Sequence, residues 1–399
     1  MKHSRLICTA CGKEYSQEYF RCTCGEPLEI VIENQKLIKL QFRRSEMLES
    51  FSHLLPELKD NNFLSMGEGL TPLTRLENTT LDGLELFVKN ESINPTWSFK
   101  DRGSYLATLD AINQGYRQIG TVSTGNMGAS VAAYGKRANL RTTILISDSI
   151  PEEKIAPIAI YGPRVLKVTG DYGDLYHKSI EIGAKAGIYM ANSDVPMRVE
   201  GSKTIAFEIF LQLGEKVPDF IVVPTSSGGN LRGIEKGFRE LKKFGFSNTL
   251  PRIVVAQAMG CCPIHLAFSQ GAETVSRFID PCTVAHAIEN PFPPSGNAVL
   301  KILRETDGIT VAVDEASILK AQRDLAEKGL FAQPASAVPF AALNKLQKEV
   351  NMKRAVVVAV LTGSGLKYPT ILEKHPSKIE ITDLISLGET LERNPNCIQ

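Results

Sequence analysis

From residue 84 onward, short β-rich runs alternate with helical patterns, and this alternation limits the fold more than any other feature of the chain. Candidate strands fall at 84–89, 119–122, 142–147, 164–168, 220–224, 253–257 and 355–361. Helical patterns lie between them, from about 127 to 137, over 172–186 and from about 230, and another opens at Pro151, a favoured first-turn residue. Such alternation predicts a parallel sheet with helices on both faces. Ligands of such sheets bind beyond the carboxyl ends of the strands. With 399 residues the chain has room for two or three domains. A formal net charge of +1 argues against nucleic acid or an anionic membrane surface as the main partner. No apolar run approaches the roughly 20 residues that span a bilayer. The opening residues lack the long apolar core of a signal peptide, so the expected location is cytoplasmic.

The eight cysteines are unevenly spread. Cys8, Cys11, Cys22 and Cys24 form two close pairs, each followed by glycine, and suggest the two knuckles of a small zinc ribbon. The second pair is C-x-C rather than C-x-x-C, so a ribbon-shaped segment without metal is the other reading. The remaining cysteines do not look like a disulfide framework. Residues 40–63 read as a polar, partly helical connector.

One lysine is placed for chemistry. In Asn94-Pro-Thr-Trp-Ser-Phe-Lys-Asp-Arg-Gly103 the Asn-Pro pair signals a turn and Ser98 is a candidate helix N-cap. Apolar residues then recur at helical spacing at Phe99, Leu106, Leu109 and Ile112. Lys100 therefore stands at a helix mouth, where the helix dipole and Arg102 both oppose its charge and favour the nucleophilic amine.

Two further segments join a candidate strand to a candidate helix. Ser123-Thr-Gly-Asn-Met-Gly128 offers hydroxyls, an amide and backbone N–H groups suited to a carboxylate at a helix N-terminus. Thr225-Ser-Ser-Gly-Gly-Asn230 lets the backbone close around a phosphate, a glycine turn without a ligand being the alternative. It is neither a Walker loop nor a G-x-G-x-x-G fingerprint.

Taken together, these stretches resemble the threonine synthase family. Asn94–Gly103 resembles P-T-G-S-F-K-D-R-G, Ser65-Met-Gly-Glu-Gly-Leu-Thr-Pro-Leu73 resembles L-G-E-G-x-T-P-L, and Leu361-Thr-Gly-Ser-Gly-Leu-Lys367 resembles L-T-G-H-G-L-K. Asn192-Ser-Asp-Val-Pro-Met-Arg-Val-Glu-Gly-Ser-Lys-Thr204 resembles N-S-x-N-P-x-R-x-x-G-Q-K-T, the segment that separates this family from ordinary serine or threonine dehydratases. The resemblance implies a pyridoxal-phosphate lyase of the tryptophan-synthase-β-like α/β fold (fold type II) with two intertwined domains. It would place a cysteine-bearing segment over 1–35, away from the catalytic site, a larger cofactor domain over 36–94 and 211–399, and a smaller domain over 95–210.

Site roles carry over residue by residue. Lys100 would hold pyridoxal phosphate as a Schiff base, Asn126 would meet its phenolic oxygen, and Thr225, Ser226, Ser227, Gly228, Gly229 and Asn230 would anchor its phosphate. The neutral hydroxyl of Thr362 would face the pyridine nitrogen, leaving the ring a weaker electron sink that suits eliminations and replacements. Ser123 and Thr124 would bind the substrate carboxylate. Asn192 and Arg198 would grip the substrate phosphate, for which the planar guanidinium fork is suited. The implied reaction is conversion of O-phospho-L-homoserine and water into L-threonine and phosphate. The expected partner is a small phosphorylated amino acid. Members are often dimers, so a homodimer is allowed.

The chain departs from the family pattern at Trp97 (glycine), Met127 (a hydroxyl or small residue), Val195 (asparagine), Gln333 (glutamate) and Ser364 (histidine). Trp97 would bring the chain's indole to the edge of the site. These changes leave two alternatives in the same fold: cysteate-synthase-like replacement on O-phosphoserine, and serine or threonine dehydration.

Overall fold

The computed structural model describes residues 4–16, 20–33, 51–59, 63–77, 81, 83–123, 125–148, 155–374, 381–386 and 390. The connector expected over 40–63 lies outside the described residues except at 51–59 and 63, where Ser52–Leu54 form a turn of 3-10 helix. The helix expected to open at Pro151 starts outside them too. Residues Met1–Lys367 form one compact unit and Tyr368–Gln399 a second.

Among the described residues, the first unit holds three sheets. β1 (Ser4–Cys8), β2 (Glu14–Tyr15) and β3 (Leu28–Ile32) make a small antiparallel sheet in the order β2-β1-β3. β4 (Leu73–Leu76) and β5 (Glu85–Asn90) follow, then α1 (Lys100–Asn113). A four-stranded parallel sheet is built from β6 (Gln118–Val122), β7 (Arg141–Ser147), β8 (Arg164–Val168) and β9 (Tyr189–Met190), ordered β8-β7-β6-β9. Between its strands run α2 (Asn126–Arg137), α3 (Ala156–Ala159) and α4 (Tyr172–Lys185).

After α5 (Pro196–Gln212) the chain returns to the sheet of β4 and β5. It adds β10 (Phe220–Pro224), α6 (Gly229–Lys243), β11 (Arg252–Ala258), α7 (Pro263–Ser269), α8 (Gly296–Glu305) and β12 (Ile309–Val313). Last come α9 (Glu315–Ala326), α10 (Pro334–Leu346) and β13 (Val356–Leu361). The order is β12-β11-β10-β13-β5-β4, parallel except for the β4–β5 pair. The alternation read from the sequence thus describes two sheets rather than one.

Continuous apolar strands explain the centre of the larger sheet. Phe-Ile-Val-Val-Pro in β10 is buried along its whole length, as a parallel strand covered on both faces must be. Side chains of a strand alternate between faces. Ile221, Val223, Val358 and Val360 pack on one face with Phe207, Leu231 and Ile234, whereas Val222, Val357 and Ala359 pack on the other with Val338 and Leu343. Each fully buried side chain of this kind contributes roughly 1.5–3 kcal/mol, so these central strands hold the sheet far more firmly than the edge strand β4, which has no fully buried residue.

The sheet order places the site. From β10 the chain moves to β11 and β12 on one side, while β13 and β5 lie on the other. The break between β10 and β13 is the kind of switch point where open α/β sheets bind ligands.

Candidate active site

Three adjacent strands deliver the site at their carboxyl ends. β5 leads into 91–100, β10 into Thr225–Asn230 and β13 into Thr362. β6 of the four-stranded sheet supplies Ser123 and Asn126. Together they surround a cavity of about 600 Å³. Lys100, Ser123, Asn126, Thr225, Ser226, Ser227, Gly228, Asn230 and Thr362 all line it. Gly229 is the first residue of α6 behind that wall, and Thr124 lies outside the described residues.

Lys100 is the first residue of α1, and its amine lies 4.5 Å from the centroid of the Phe99 ring. Burial, followed by the charge of Arg198, lowers its pKa to about 7. Two expectations about this turn need correction. Arg102 is not the opposing charge: it is wholly buried and spends its guanidinium on Glu91 (2.6 and 2.8 Å) and Glu208 (2.6 and 2.7 Å). Ser98 is not the N-cap: Phe99 occupies that position, and Ser98 forms a bridge with Gly363. No side chain caps α1; Asp101 instead ties down the preceding turn, accepting from Thr96 N and Thr96 Oγ1, both at 2.6 Å. Breaking one partner of a buried ion pair costs roughly 3–5 kcal/mol, so the Arg102 network fixes α1 and with it the place of Lys100.

Opposite the lysine, α6 begins at Gly229 after the N-cap Gly228, which offers no side chain to the free N–H groups of the first turn. Gly228 has φ +92°, and a Cβ there would sit 2.9 Å from atoms of Ser295 and Val299. At Gly229 a Cβ would meet the Ser193 carbonyl at 2.4 Å. The glycines thus admit the protein's own neighbouring loops and leave the first-turn N–H groups of α6 without a side-chain cap. Asn230 adds an amide whose nitrogen and oxygen are buried with no partner among the described residues.

On the remaining wall, Asn126 Nδ2 donates to Gln333 Oε1 at 3.0 Å, and the hydroxyls of Thr362 and Ser336 are 2.9 Å apart. The residues matched to the substrate phosphate do not line the cavity. Asn192 is fully buried and its amide is committed: it accepts from Val122 N (3.0 Å) and donates to Ser179 Oγ (2.9 Å). Arg198 lies behind Lys100, donating to Ser104 Oγ at 2.9 Å and to the Lys100 carbonyl at 3.2 Å. Among the described residues no carboxylate pairs with it, and burial lowers its pKa to about 10.

Of the departures, Met127 and Gln333 line the cavity. Val195 and Ser364 are buried outside the lining. Trp97 is half-exposed and is also outside the lining. Its φ of +62° is one that glycine adopts without strain. The sequence reading missed Tyr176 and Ser193, and it missed Pro281, His286, Glu289 and Asn290, which close the far side. The last four lie in the irregular segment 270–295, and a connection of that length is often functional. The N-terminal segment, expected to lie away from the site, touches its wall: Arg21 Nη1 donates to Asp194 Oδ2 at 2.7 Å, next to Ser193.

Residues 64–363 match the family described as "Pyridoxal-phosphate dependent enzyme". The chain is 36% identical over 388 residues to the threonine synthase of Methanocaldococcus jannaschii, covering 94% of this chain and 96% of that protein. It is 38% identical over 328 residues to the threonine synthase of Halalkalibacterium halodurans, covering 81% and 90%. Among solved structures, maize serine racemase superposes with a TM-score of 0.65 at 21% identity, covering 76% of this chain and 91% of that one. The processed form of threonine deaminase isoform 2 from Solanum lycopersicum gives 0.62 at 22%, covering 81% and 82%. At such identities the structural likeness shows the fold alone.

The residues present fit the cofactor of that family. A buried amine near neutrality can attack an aldehyde, an uncapped helix N-terminus suits a phosphate, and the orphaned Asn230 amide is a polar group in want of a partner. Sheet order, site chemistry and relatives agree, and the chain belongs to the threonine synthase family of pyridoxal-phosphate-dependent enzymes.

Proposed function

We propose that this chain converts O-phospho-L-homoserine and water into L-threonine and phosphate. The observation that carries the substrate assignment is Arg198, a buried guanidinium with no carboxylate partner among the described residues, held against the backbone of the reactive lysine. Burying a charge without an ion-pair partner is costly; Arg198 stands behind Lys100 and off the cavity lining, so its positive charge favours a phosphorylated substrate from behind the lysine rather than by direct contact. The relatives named threonine synthase support the same reading.

Bound pyridoxal phosphate supplies an electron sink conjugated to the substrate nitrogen, which acidifies the adjacent carbon. The chain's own residues do the rest. The N–H groups of 226–230 would hold the cofactor phosphate, and Asn126, oriented by Gln333, would fix the ring. The Thr362 hydroxyl, held by Ser336, would offer the pyridine nitrogen a neutral partner. Ser123 receives the substrate carboxylate near the N-terminus of α2. Lys100 Nζ, with a pKa of about 7, can both accept and return a proton at neutral pH. It takes protons from Cα and Cβ, phosphate leaves from Cγ, water adds at Cβ, and protons return to Cα and Cγ.

The test is phosphate release by purified protein offered O-phosphohomoserine and O-phosphoserine separately, with the amino-acid product identified. Phosphate with threonine from O-phosphohomoserine alone supports the proposal. Release from O-phosphoserine alone, or ammonia from unphosphorylated serine or threonine alone, overturns it.

A further inference from the structure

The four N-terminal cysteines form a ligand-ready cluster that this chemistry does not use. All four are free thiols. Cys8 Sγ lies 3.6 Å from Cys24 Sγ, Cys11 Sγ lies 3.6 Å from Cys22 Sγ, and all four sulfurs fall within 4.8 Å of one another. A tetrahedral zinc ion with Zn–S bonds of about 2.3 Å sets its sulfurs about 3.8 Å apart. The backbone already has the shape of two metal knuckles. Gly12 N donates to Cys8 O at 3.1 Å and Gly25 N to Cys22 O at 2.9 Å, closing one tight turn after each pair. The amides of Ala10 and Cys11 point at Cys8 Sγ (3.4 and 3.5 Å), and that of Cys24 at Cys22 Sγ (3.4 Å). Such N–H to sulfur contacts stabilise thiolate ligands. Four converging sulfurs without a carboxylate or imidazole suit zinc over harder cations.

What surrounds the cluster gives it a task. Arg21 is fixed to the second knuckle by its own Nε, which donates to Gly25 O at 3.0 Å. From there Nη1 reaches Asp194 Oδ2 at 2.7 Å and Nη2 reaches Pro294 O at 2.6 Å. Asp194 also accepts from Ser295 Oγ (3.1 Å) and from the hydroxyl of Tyr176, which lines the cavity. Ser295 N donates to Ser227 O at 3.0 Å, inside the loop that faces the cofactor phosphate. One guanidinium therefore clamps the turn after β9 to the loop before α8. Strand β3 grips the same region, because Arg232 and Lys243 of α6 donate to the carbonyls of Leu28 (3.1 Å) and Ile32 (3.2 Å), and Lys236 donates to that of Ile30.

We propose that Cys8, Cys11, Cys22 and Cys24 bind one zinc ion, and that the metal braces the cofactor loop by holding Arg21 against Asp194 and Pro294. Binding deprotonates the thiols and releases their protons to solvent, so no oxidant or reductant is needed. The brace rests on the cofactor assignment and not on the identity of the substrate.

The test uses the full-length holoenzyme. Elemental analysis should find one zinc per chain, and a strong chelator should release it while making four further thiols reactive to a thiol reagent. Cobalt(II) added to the stripped protein should give the visible bands of a tetrahedral thiolate site. Fully reduced protein prepared with zinc that holds no metal and gives no such bands overturns the metal site, and none of these readouts needs turnover. Cys11→Ser and Cys24→Ser, at the two exposed ligands, should lose the metal. Arg21→Ala should keep the zinc yet bind pyridoxal phosphate roughly tenfold more weakly, the scale of one charge-assisted hydrogen bond, as should the stripped wild-type chain. Unchanged cofactor affinity in both would overturn the brace while leaving the metal site standing.

Discussion

The guanidinium of Arg198 donates to the carbonyl oxygen of Lys100 at 3.2 Å, so the cavity's lysine and the cation that depresses it share one hydrogen bond. Removing Arg198 removes a repulsion, and the Lys100 ammonium becomes harder to deprotonate. Capture of pyridoxal phosphate by the cofactor-free protein should rise with pH through about 7 and level off above it. In Arg198→Ala that rise should move to higher pH. The same variant should bind O-phosphohomoserine about tenfold more weakly, with a smaller loss for an unphosphorylated analogue, as expected when a nearby positive charge rather than a direct contact favours the phosphate. Equal losses for both ligands would make Arg198 a structural residue only.

Lys100→Ala should reduce turnover by at least about 10²–10⁴-fold, the range set by loss of a positioned acid–base group. The variant should still retain cofactor noncovalently, because loop 225–230 is untouched. Mass spectrometry after borohydride treatment distinguishes the two forms: the wild-type chain should gain the cofactor mass and the variant should not. Turnover close to wild type would refute the assignment of Lys100.

The bond from Asn126 to Gln333 sets the direction in which the Asn126 amide points. Gln333→Ala should weaken pyridoxal-phosphate binding by about 0.5–1.5 kcal/mol, one hydrogen bond's worth, and alter the visible spectrum of the bound cofactor. An unchanged spectrum with unchanged affinity would show that Asn126 is held by other means.

Gly228→Ala combines two penalties. A side chain at φ +92° costs roughly 1–2 kcal/mol, and its Cβ would press on Ser295 and Val299 at 2.9 Å. The midpoint of thermal unfolding should fall, and cofactor affinity should fall with it because the displaced backbone is the proposed phosphate cradle. Loss of stability alone would place the cradle elsewhere.

Trp97 gives the opposite case. Its backbone sits at φ +62° and its side chain is half-exposed outside the cavity lining. Trp97→Gly should relieve left-handed strain against the entropy of the added glycine, a net gain of up to about 1 kcal/mol. Preference between O-phosphohomoserine and O-phosphoserine should not change. Met127→Ser, which alters the lining itself, should change it. A reversed pattern, with Trp97 controlling preference, would mean that the indole reaches the bound substrate.

Much of the fold was legible because its strands announce themselves. Phe220–Pro224 and Arg164–Val168 have the bounds that their apolar runs indicated, and neighbouring elements begin within a residue or two of expectation. Lys100 and the 225–230 loop were legible because each follows a strand or turn and opens a helix. The partners of Lys100 were not. Arg102 is two residues away in sequence and faces Glu91 and Glu208, whereas Arg198, nearly a hundred residues on, reaches the lysine through the crossing of α1 and α5. Sequence adjacency says nothing about which side of a helix a charge leaves from. The far wall, with His286 and Asn290, carries no periodicity and was invisible for that reason.

A strand at the heart of the larger sheet is also, among the described residues, the last strand in chain order. β13 lies between β10 and β5, more than a hundred residues behind the first and far more behind the second. Until residue 361 has emerged, the β4–β5 pair and the β10–β12 group each present an open apolar edge, a template for wrong pairing. The cofactor pocket cannot exist either, since Thr362 and the bridge from Gly363 to Ser98 close it. Cofactor loading therefore waits on the docking of β13.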